Sequence, residues 1–529
     1  MCADKESYTI VYFLDYGKNF GGAANTLLQQ ALLMKRAKHK VILFFSDYFG
    51  SEMNSEYKEI CTNLFIDYEW ATYSLITQPG DIDVVCIDKY YEELRDRIAS
   101  YHPDVLHSVQ INPCVELISR ELKIPHIMNV YPLLPEFFYI DYMNIFPHYH
   151  LCDSWYYARQ WQHYLHTYSS CVRTVVNIRN RKKRTLTGRT LNFICVGAVY
   201  EDKNQLSVIK AFHKALLGGM QAKLTLCGYI DGNYGKECFR YIKENDLQSE
   251  IIMKGFCLNM CKEYSQNDIL ICGSRRESYP NAVSEAMANG LVIISTPVGG
   301  VPEIIEDGRN GYLARGYLED ALLEKIMQVQ KDIENGKIEQ ILKKTEETFL
   351  QFHSPQAVTN QLLQYYKYIL EDYKKKIIAD TNEKMVSIKD FRNVFVPLMK
   401  KLQENKMRFT DPEKVAQKLW YLYHITDIVN EANKSGKEFF VWGTGKYGKS
   451  VKEMLEFFLP QLHISGFIDT KKSGKFYEYK IFSLNEIMVK KNVIIFIAAI
   501  NGQSEMIEKL ESADKRFNRD YFILSVKIW

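Results

Sequence analysis

Short apolar runs alternate with longer amphipathic stretches through the first third of the chain. Five of these runs are five or six residues long and rich in β-branched and aromatic side chains, which is typical of buried strands. The stretch at 27–35 has apolar residues at the i, i+3 and i+4 spacing of a helix that buries one face. Strands and helices in alternation predict a parallel sheet covered by helices, with ligands at the carboxyl ends of its strands. The five predicted strands are Thr9–Leu14, Lys40–Phe45, Asp83–Ile87, Asp104–Val109 and His126–Val130.

The same alternation resumes after residue 190 and predicts a second doubly wound sheet. Residues 177–190, between the two halves, are basic and turn-rich, and we interpret them as a linker. Residues 316–373 are predicted to be helical. Ser354 and Pro355 have the chemistry of an N-cap and a first-turn proline. The strands predicted in this half are Leu191–Gly197, Lys223–Gly228, Glu250–Gly255, Asp268–Gly273 and Leu291–Thr296.

A third strand–helix–strand pattern begins at residue 438, beyond a charged, helix-rich stretch. The predicted fold class is therefore α/β, with two Rossmann-like domains, a helical connector and a third, small Rossmann-like domain. The predicted boundaries are 1–176 for the first domain, 177–190 for the linker, 191–373 for the second domain, 374–435 for the connector and 436–529 for the third domain.

Composition and charge exclude several classes of protein. The 529 residues include 67 Lys and Arg against 64 Asp and Glu, a formal net charge of +3, so charge gives no reason to expect a nucleic-acid partner. Hydrophobic residues make up 47% of the chain, which is typical of a globular rather than a disordered protein.

The 12 cysteines all lie between Cys2 and Cys272, several of them inside predicted strands, as reduced core residues do in a cytosolic protein. Cys257 and Cys261 are the closest pair, and without a second pair at ligand spacing we predict no metal site.

The start of the chain has no apolar signal core, and no run of about 18 uncharged apolar residues occurs. We therefore expect a cytoplasmic protein. The basic segment 35–40 and the basic linker leave open a peripheral contact with the inner face of an anionic membrane, although a solvated surface explains them as well.

Two glutamates with seven residues between them, Glu277 and Glu285, flank a predicted helix start at Pro280 and Asn281, with Asn281 as its N-cap. The N-terminus of a helix attracts an anion such as a phosphate. Carboxylates on either side of it accept hydrogen bonds from hydroxyl groups, which matches hexose, diphosphate and ribose in a sugar nucleotide. The spacing alone is equally typical of surface charge near a helix start.

The order of residues around this pair is more specific than the pair itself. After Glu285 come Ala286, Met287 and Ala288, then Gly290, a strand-like run, and a turn with Gly299, Gly300 and Glu303. This order resembles the family 4 glycosyltransferases of the GT-B fold. The resemblance implies a retaining, metal-independent transfer from a nucleoside diphosphate sugar, with no cofactor required. It also implies that Glu285 binds the ribose and Glu277 the hexose, with backbone N–H groups near Asn281 and Gly299-Gly300 at the sugar and phosphate.

Lys203 follows the first strand of the second half, where its ammonium is placed to neutralise a diphosphate leaving group. Its context resembles the Gly-Arg-x-x-x-x-Lys segment of the same family. The arginine of that segment is replaced by Ala198 in this chain. We therefore expect Arg275 or Arg276, next to Glu277, to supply the missing charge.

Two features of the first half also match the family. Gly21 and Gly22 precede a helix, where glycine lets the backbone approach a ligand, and the resemblance places them across the cleft from the donor. His107, at the end of a predicted strand, corresponds to a histidine often found there, with a catalytic contact to donor or acceptor. A simple turn and a structurally satisfied histidine are the alternatives.

The third domain contains Gly443-Thr-Gly445-Lys-Tyr-Gly448 between a strand and a helix, and Asp469 ends the next strand. This arrangement is a dinucleotide-binding fingerprint, in which the acid accepts from a ribose hydroxyl. A compact turn that packs helix on sheet is the alternative. Resembling modules are appended to proteins of polysaccharide synthesis.

The expected function is transfer of a sugar from a nucleoside diphosphate donor to a hydroxyl of a saccharide, lipid-linked or protein acceptor, in bacterial surface polysaccharide or glycoconjugate synthesis. Three alternatives stay open at this point. They are a sugar-nucleotide epimerase of the same build, a non-catalytic sugar-nucleotide-binding scaffold, and a bifunctional chain whose last domain modifies the sugar.

Overall fold

A computed structural model describes most of the chain and contains three sheets, each built mainly from parallel strands. Statements about structure below concern the described residues. These are 7–17, 22–63, 65–73, 75, 84–130, 148–165, 168–176, 186–230, 232–257, 259–379, 429, 431–459, 462–499, 502–516 and 519–524.

The first sheet has seven parallel strands in the order β3-β2-β1-β4-β5-β6-β7. Its buried strands β1, β2, β4 and β5 confirm four of the five predicted ones. The strands are β1 (Thr9–Tyr16), β2 (Lys40–Ser46), β3 (Asp67–Ala71), β4 (Val105–Val109), β5 (His126–Asn129), β6 (Tyr149–Cys152) and β7 (Tyr168–Cys171). The helices are α1 (Gly22–Arg36), α2 (Ser55–Asn63), α3 (Val84–Ser100), α4 (Pro113–Leu122) and α5 (Trp155–Leu165).

The prediction of a strand at Asp83–Ile87 is wrong, because this apolar run opens helix α3. Ile87, Tyr91, Leu94 and Ile98 are all buried and recur at helical spacing. Burial of that continuous stripe outweighs the β-branched character of its first residues. The third strand of the sheet is instead β3, a half-exposed edge strand in which acidic residues alternate with aromatic ones.

The second sheet has six parallel strands in the order β10-β9-β8-β11-β12-β13, which confirms the strands predicted for this half. They are β8 (Leu191–Val196), β9 (Ala222–Cys227), β10 (Ile251–Gly255), β11 (Ile269–Cys272), β12 (Val292–Ser295) and β13 (Tyr312–Leu313). The helices are α6 (Gln205–Leu217), α7 (Gly232–Glu244), α8 (Met260–Gln266), α9 (Asn281–Ala288), α10 (Glu319–Glu334) and α11 (Ile338–Phe352).

The long helix α12 (Pro355–Ala379) returns from the second sheet to the first. The Ser354 hydroxyl accepts from the N–H of Ala357 at 3.3 Å, as predicted for an N-cap. Further along, the Tyr366 hydroxyl lies 2.8 Å from that of Tyr12 in the core of the first sheet. The helix thus ties the two halves together.

The third sheet has the order β16-β17-β15-β14-β18-β19, with only the β16–β17 pair antiparallel. Its strands are β14 (Glu438–Trp442), β15 (Ile464–Ile468), β16 (Gly474–Phe476), β17 (Tyr479–Phe482), β18 (Val493–Ile497) and β19 (Tyr521–Ile523). Its helices are α13 (Lys446–Phe458), α14 (Leu484–Met488) and α15 (Gln503–Ser512). Residues 374–379 of the predicted connector belong to α12, whereas 380–428 lie outside the described residues.

No helix within the described ranges is both long enough and apolar enough to cross a membrane.

Candidate functional site

The strand order of the second sheet reverses between β8 and β11, and at such a switch point the loops after the two strands diverge and leave a crevice at their carboxyl ends. Such a switch point is where ligands bind in open α/β sheets, because the two loops leave the sheet in opposite directions. Lys203 lies in the loop after β8 and Glu277 in the loop after β11. The two residues predicted to carry the chemistry therefore meet at the switch point.

Lys203 and Glu277 form an ion pair, with side chains 19% and 17% exposed. The Ser274 hydroxyl donates to the same carboxylate oxygen of Glu277 at 3.2 Å. Burial lowers the pKa of Lys203, but the charge and hydrogen bond of Glu277 outweigh it, so the pKa lies above its ordinary value. Lys203 is thus held as an ammonium in a partly desolvated crevice, where its charge acts strongly.

Glu285 lies in the first turns of α9, as predicted, and the Tyr264 hydroxyl donates to it at 2.6 Å. Burial raises the pKa of Glu285, and the hydrogen bond from Tyr264 offsets part of that rise. The carboxylate is therefore oriented by a fully buried phenol rather than by a cation. Tyr264, which belongs to α8, gave no signal in the sequence.

The prediction of Asn281 as an N-cap is wrong by one residue. Pro280 is the N-cap, with extended backbone at φ −67° and ψ 115°, and Asn281 is the first helical residue. The fixed φ of proline makes it a stable last residue before the helix. A Cβ atom added to Gly22 would lie 3.7 Å from Nδ2 of Asn281, so the start of α1 faces the start of α9. Gly21 lies outside the described residues.

Gly299 and Gly300 are both explained by close packing. Gly299 has φ +49°, and a Cβ atom there would clash with the carbonyl oxygens of Glu277 and Ser278. A Cβ atom on Gly300 would lie 2.5 Å from Cβ of Ser154, which belongs to the N-terminal half. The turn is thus pressed between the Glu277 loop and the facing domain.

Glu303, three residues further, binds the N-terminal half directly. Its carboxylate accepts from the backbone N–H groups of Trp155 at 3.0 Å and Tyr156 at 2.6 Å, at the start of α5, and it pairs with Arg173. Arg173 also donates to the backbone carbonyl of Asp153 at 2.7 Å. This contact between the halves was not predicted from the sequence.

A second contact between the same two halves involves the residue next to Glu277. The Ser278 hydroxyl, next to Glu277, donates to the Asp153 carboxylate. Burial raises the pKa of Asp153 to about 7, against the effects of that hydrogen bond and of the Arg173 charge. The Glu277 loop is therefore anchored in the N-terminal half.

Arg275 and Arg276 are both exposed beside the crevice. The guanidinium of Arg276 lies 2.9 Å from the carboxylate of Asp202, and the backbone N–H of Arg275 donates to the Asp202 carbonyl at 2.7 Å. Since Asp202 precedes Lys203, the Arg276 charge lies beside the loop that carries Ala198 and Lys203.

His107 lies inside the first sheet rather than in the crevice. It is fully buried, with Nδ1 at 2.7 Å from the Tyr366 hydroxyl and Nε2 at 2.7 Å from Oδ1 of Asn129. Burial lowers its pKa to about 3. With both ring nitrogens bonded and no surface exposed, His107 fits the structural role that the sequence left open, and the geometry gives no support to a catalytic contact.

The three glycines of the fingerprint in the third domain, Gly443, Gly445 and Gly448, have different surroundings. Gly443 has φ +128°, a Cβ atom on Gly448 would clash with the Gly443 carbonyl, and one on Gly445 would meet nothing within 4 Å. A tight turn, an open approach and close helix packing are the three roles of such glycines. The Asp469 carboxylate accepts from Thr444 and from the N–H groups of Lys471 at 2.8 Å and Lys472 at 3.0 Å, so it already organises the two loops.

Comparison with known proteins shows what the second domain is similar to. Residues 176–346 match the family model described as glycosyl transferases group 1. N-acetyl-alpha-D-glucosaminyl L-malate synthase of Bacillus anthracis is 29% identical over 175 residues, which are 33% of this chain and 45% of that protein. Poly(glycerol-phosphate) alpha-glucosyltransferase of Bacillus subtilis is 27% identical over 131 residues, 25% of this chain and 19% of that protein. The chain thus spans less than half the length of these curated relatives.

Solved structures resemble a larger part of the chain. A glycosyltransferase of Rickettsia africae has a TM-score of 0.59 at 18% identity and covers 69% of this chain and 99% of its own. HepE of Anabaena, solved in complex with UDP, has a TM-score of 0.55 at 15% identity and covers 68% of this chain and 100% of its own. These likenesses show the two-domain GT-B fold, and the match to the glycosyl transferases group 1 model lies in the second domain of this chain.

Proposed function

We propose that the chain is a retaining glycosyltransferase that moves a sugar from a nucleoside diphosphate donor to an acceptor hydroxyl without a metal ion. The observation that carries the proposal is the Lys203–Glu277 ion pair at the switch point of the second sheet, with Glu285 in the adjoining helix. These are two carboxylates and one held ammonium, at the place where such sheets bind nucleotides. The matched group 1 domain supports the same class of reaction.

Donor binding exchanges the partners of the ion pair. The diphosphate takes over the Lys203 ammonium, and Glu277 turns to the hydroxyls of the donor sugar, with Ser274 still donating to it. Glu285, oriented by Tyr264, accepts from the ribose. Each charged group thus leaves one partner only by gaining another, which limits the desolvation cost of opening the pair.

Transfer breaks the bond between the anomeric carbon and the phosphate oxygen. The acceptor oxygen forms the new bond on the same face, and its proton passes to the leaving phosphate. Positive charge develops at the anomeric carbon and negative charge at the leaving oxygen. A fixed ammonium directed at that oxygen lowers the barrier without reorganisation. Arg276, beside Asp202, adds a second positive charge from the loop after β11.

The relatives suggest where such a reaction belongs. One curated relative is a poly(glycerol-phosphate) glucosyltransferase, and HepE was solved with UDP. We infer a UDP-sugar donor and a saccharide, lipid-linked or protein acceptor in the synthesis of bacterial surface polysaccharides or glycoconjugates. Arg36, Lys38 and Lys40, exposed after α1, are the basic residues available for a peripheral contact with an anionic membrane.

A panel of sugar nucleotides in a thermal-shift assay tests donor binding, because a ligand of the folded state raises the melting temperature with occupancy. Product analysis follows with the best donor, with and without acceptor. Release of nucleoside diphosphate with a new glycoside supports the proposal. Conversion of the donor without any acceptor indicates an epimerase instead, and binding without turnover indicates a scaffold.

A second candidate function concerns the third domain. The open space at Gly445 and the tight contact of Gly448 favour a dinucleotide whose diphosphate approaches the start of α13. Titration of the full chain with a nicotinamide dinucleotide tests this. Gly445→Val, which fills the open space, is expected to abolish binding, and Asp514→Asn, an exposed change in the same domain, is expected to leave it intact. No binding by the unchanged chain refutes the candidate.

A further inference from the structure

Three metal-ligating side chains converge at the carboxyl ends of β9 and β10, outside the crevice. The sulfurs of Cys227 and Cys257 and a carboxylate oxygen of Glu263 all lie within 4.8 Å of one another. Cys227 ends β9, which pairs with β10 so that Gly255 lies opposite it, and Cys257 follows two residues later. The sheet thus brings together two cysteines that are 30 residues apart, which spacing along the chain does not reveal.

We propose that this cluster, Cys227, Cys257 and Glu263, binds a thiophilic divalent cation of the zinc class. Two sulfurs and one carboxylate are zinc ligands, whereas magnesium and calcium prefer sites made only of oxygen. In a tetrahedral zinc site with Zn–S bonds of about 2.3 Å, ligand sulfurs lie about 3.8 Å apart, so the cluster needs only small side-chain shifts to close on an ion. Because Cys257 is only half-buried, water can supply the fourth ligand.

The burial of the cluster supports a built site. Cys227 is 1% exposed and Glu263 is 6% exposed, and a carboxylate at that depth requires a positive partner. The ammonium of Lys254 now fills that role, at 2.6 Å from Glu263. Since the Lys254 side chain is 43% exposed, it can move into solvent when a metal ion takes its place. The Cys257 thiol donates weakly to the Gly255 carbonyl at 3.4 Å, a contact that a metal bond readily replaces.

The position of the cluster gives it a consequence for the donor site. Glu263 and Tyr264 are neighbours on the short helix α8, and Tyr264 donates to Glu285. An ion held between α8 and the ends of β9 and β10 fixes the helix that orients Glu285. The proposal that the cluster binds a metal ion is independent of the proposed function. Only the effect of the ion on Glu285 rests on the proposed function.

Metal content of the full chain tests the site. Protein stripped with a chelator under reducing conditions is dialysed against Zn²⁺ or Co²⁺, and bound metal is counted by mass spectrometry. We expect one ion per chain, with the sulfur-to-cobalt charge-transfer bands of thiolate ligation. Cys227→Ser and Glu263→Gln are expected to lose binding by more than the roughly 10- to 100-fold that loss of an outer-shell partner costs. Cys261→Ser, on the same helix but outside the cluster, is the matched control and keeps one ion.

A gain-of-binding variant separates the site from a folding defect. Lys254→Met removes the competing ammonium, and its zinc affinity is expected to rise about tenfold, whereas a damaged fold binds more weakly. Absence of metal in the unchanged chain, an equal loss in Cys261→Ser, or a Cys227–Cys257 disulfide in reducing buffer overturns the proposal. Donor binding measured in the same samples keeps the two questions apart, because a chain that binds UDP-sugar but no metal refutes only the metal site.

Discussion

Two carboxylate–cation pairs, each with its carboxylate in the second domain, differ in what surrounds them. The Glu277–Lys203 pair has side chains 17% and 19% exposed and lies at the switch point of the second sheet. The Glu303–Arg173 pair is 22% and 5% exposed, and Glu303 also accepts two backbone N–H groups at the start of α5. Glu303 is therefore committed to protein donors on both oxygens, whereas the Glu277 pair is free to exchange its partners for a ligand.

The difference shows that a motif position does not determine a role. Both glutamates belong to the ordered set that resembles family 4 glycosyltransferases, yet one faces the crevice and the other fastens the two halves together. The sequence interpretation treated the turn around Gly299 and Gly300 as part of a ligand site. Their packing against Glu277 and Ser154 adds a mechanical function, which is to hold the crevice at a fixed distance from the N-terminal half.

The largest expected effect is on turnover, at the first pair. Lys203→Met removes the ammonium that faces the leaving phosphate, and kcat is expected to fall by about 10²- to 10³-fold, the typical effect of losing one preorganised charge-stabilising donor. Glu277→Gln is expected to lower kcat by a smaller factor with donor affinity largely retained. Steady-state kinetics with a saturating donor measures both. Unchanged kcat in Lys203→Met contradicts the assignment of the leaving-group site.

The matched changes at the second pair are expected to act on stability. Arg173→Met removes the cation from Glu303, a carboxylate that keeps two backbone N–H donors, and the free energy of unfolding is expected to fall by about 2 kcal/mol. Denaturant unfolding measures it, with Lys203→Met as the comparison: both variants leave a carboxylate without its cation, so the two pairs are separated by turnover, which only Lys203→Met is expected to lose. If Arg173→Met is as stable as the unchanged chain but inactive, the second pair is part of the catalytic site and the distinction between the pairs is wrong.

Local pattern accounts for much of the fold. Central strands such as β1, β8 and β11 are mainly apolar runs, and the apolar residues of α1 and α12 recur at helical spacing, so both were predicted. Prediction was wrong at Asp83–Ile87 and omitted β3, β6 and β7, where short runs or edge strands carry little apolar signal. In these segments tertiary burial decides the structure.

The sequence could predict a site residue only where its neighbours along the chain form a recognisable motif. Lys203, Glu277 and Glu285 each lie in a segment whose residue types follow a recognisable order. The sheet brings the first two together at its switch point. Arg173 lies 130 residues before Glu303 on the other half, and no spacing rule links them. Tyr264 was missed for the same reason, because its partnership with Glu285 depends on how α8 packs against α9.

The pH dependence of donor affinity is expected to show whether Tyr264 keeps the Glu285 carboxyl ionised as well as oriented. Burial raises its pKa and Tyr264 lowers it, so Tyr264→Phe leaves the carboxyl with a higher pKa. In the proposed donor complex the ribose hydroxyl donates to the carboxylate form, so donor affinity is expected to be lost as pH falls through that pKa. In Tyr264→Phe the loss is expected to begin at higher pH, with about tenfold weaker binding near neutrality, the effect of roughly 1.4 kcal/mol from one hydrogen bond to a charged group. Calorimetric titration across pH measures it, and coincident profiles contradict it.

The smallest expected effect concerns the exposed arginines beside the crevice. Arg276 is 57% exposed and pairs with Asp202, so it contributes little to stability, and its charge reaches the diphosphate through solvent. Changing both Arg275 and Arg276 to Ala is expected to weaken donor binding about three- to fivefold at low salt, and less at high salt because screening shortens the reach of an exposed charge. Arg309→Ala, equally exposed and paired with Glu306 outside the crevice, is the matched control. If donor affinity and kcat equal those of the control, neither arginine replaces the cation that is missing at Ala198. The donor site then relies on the charge of Lys203.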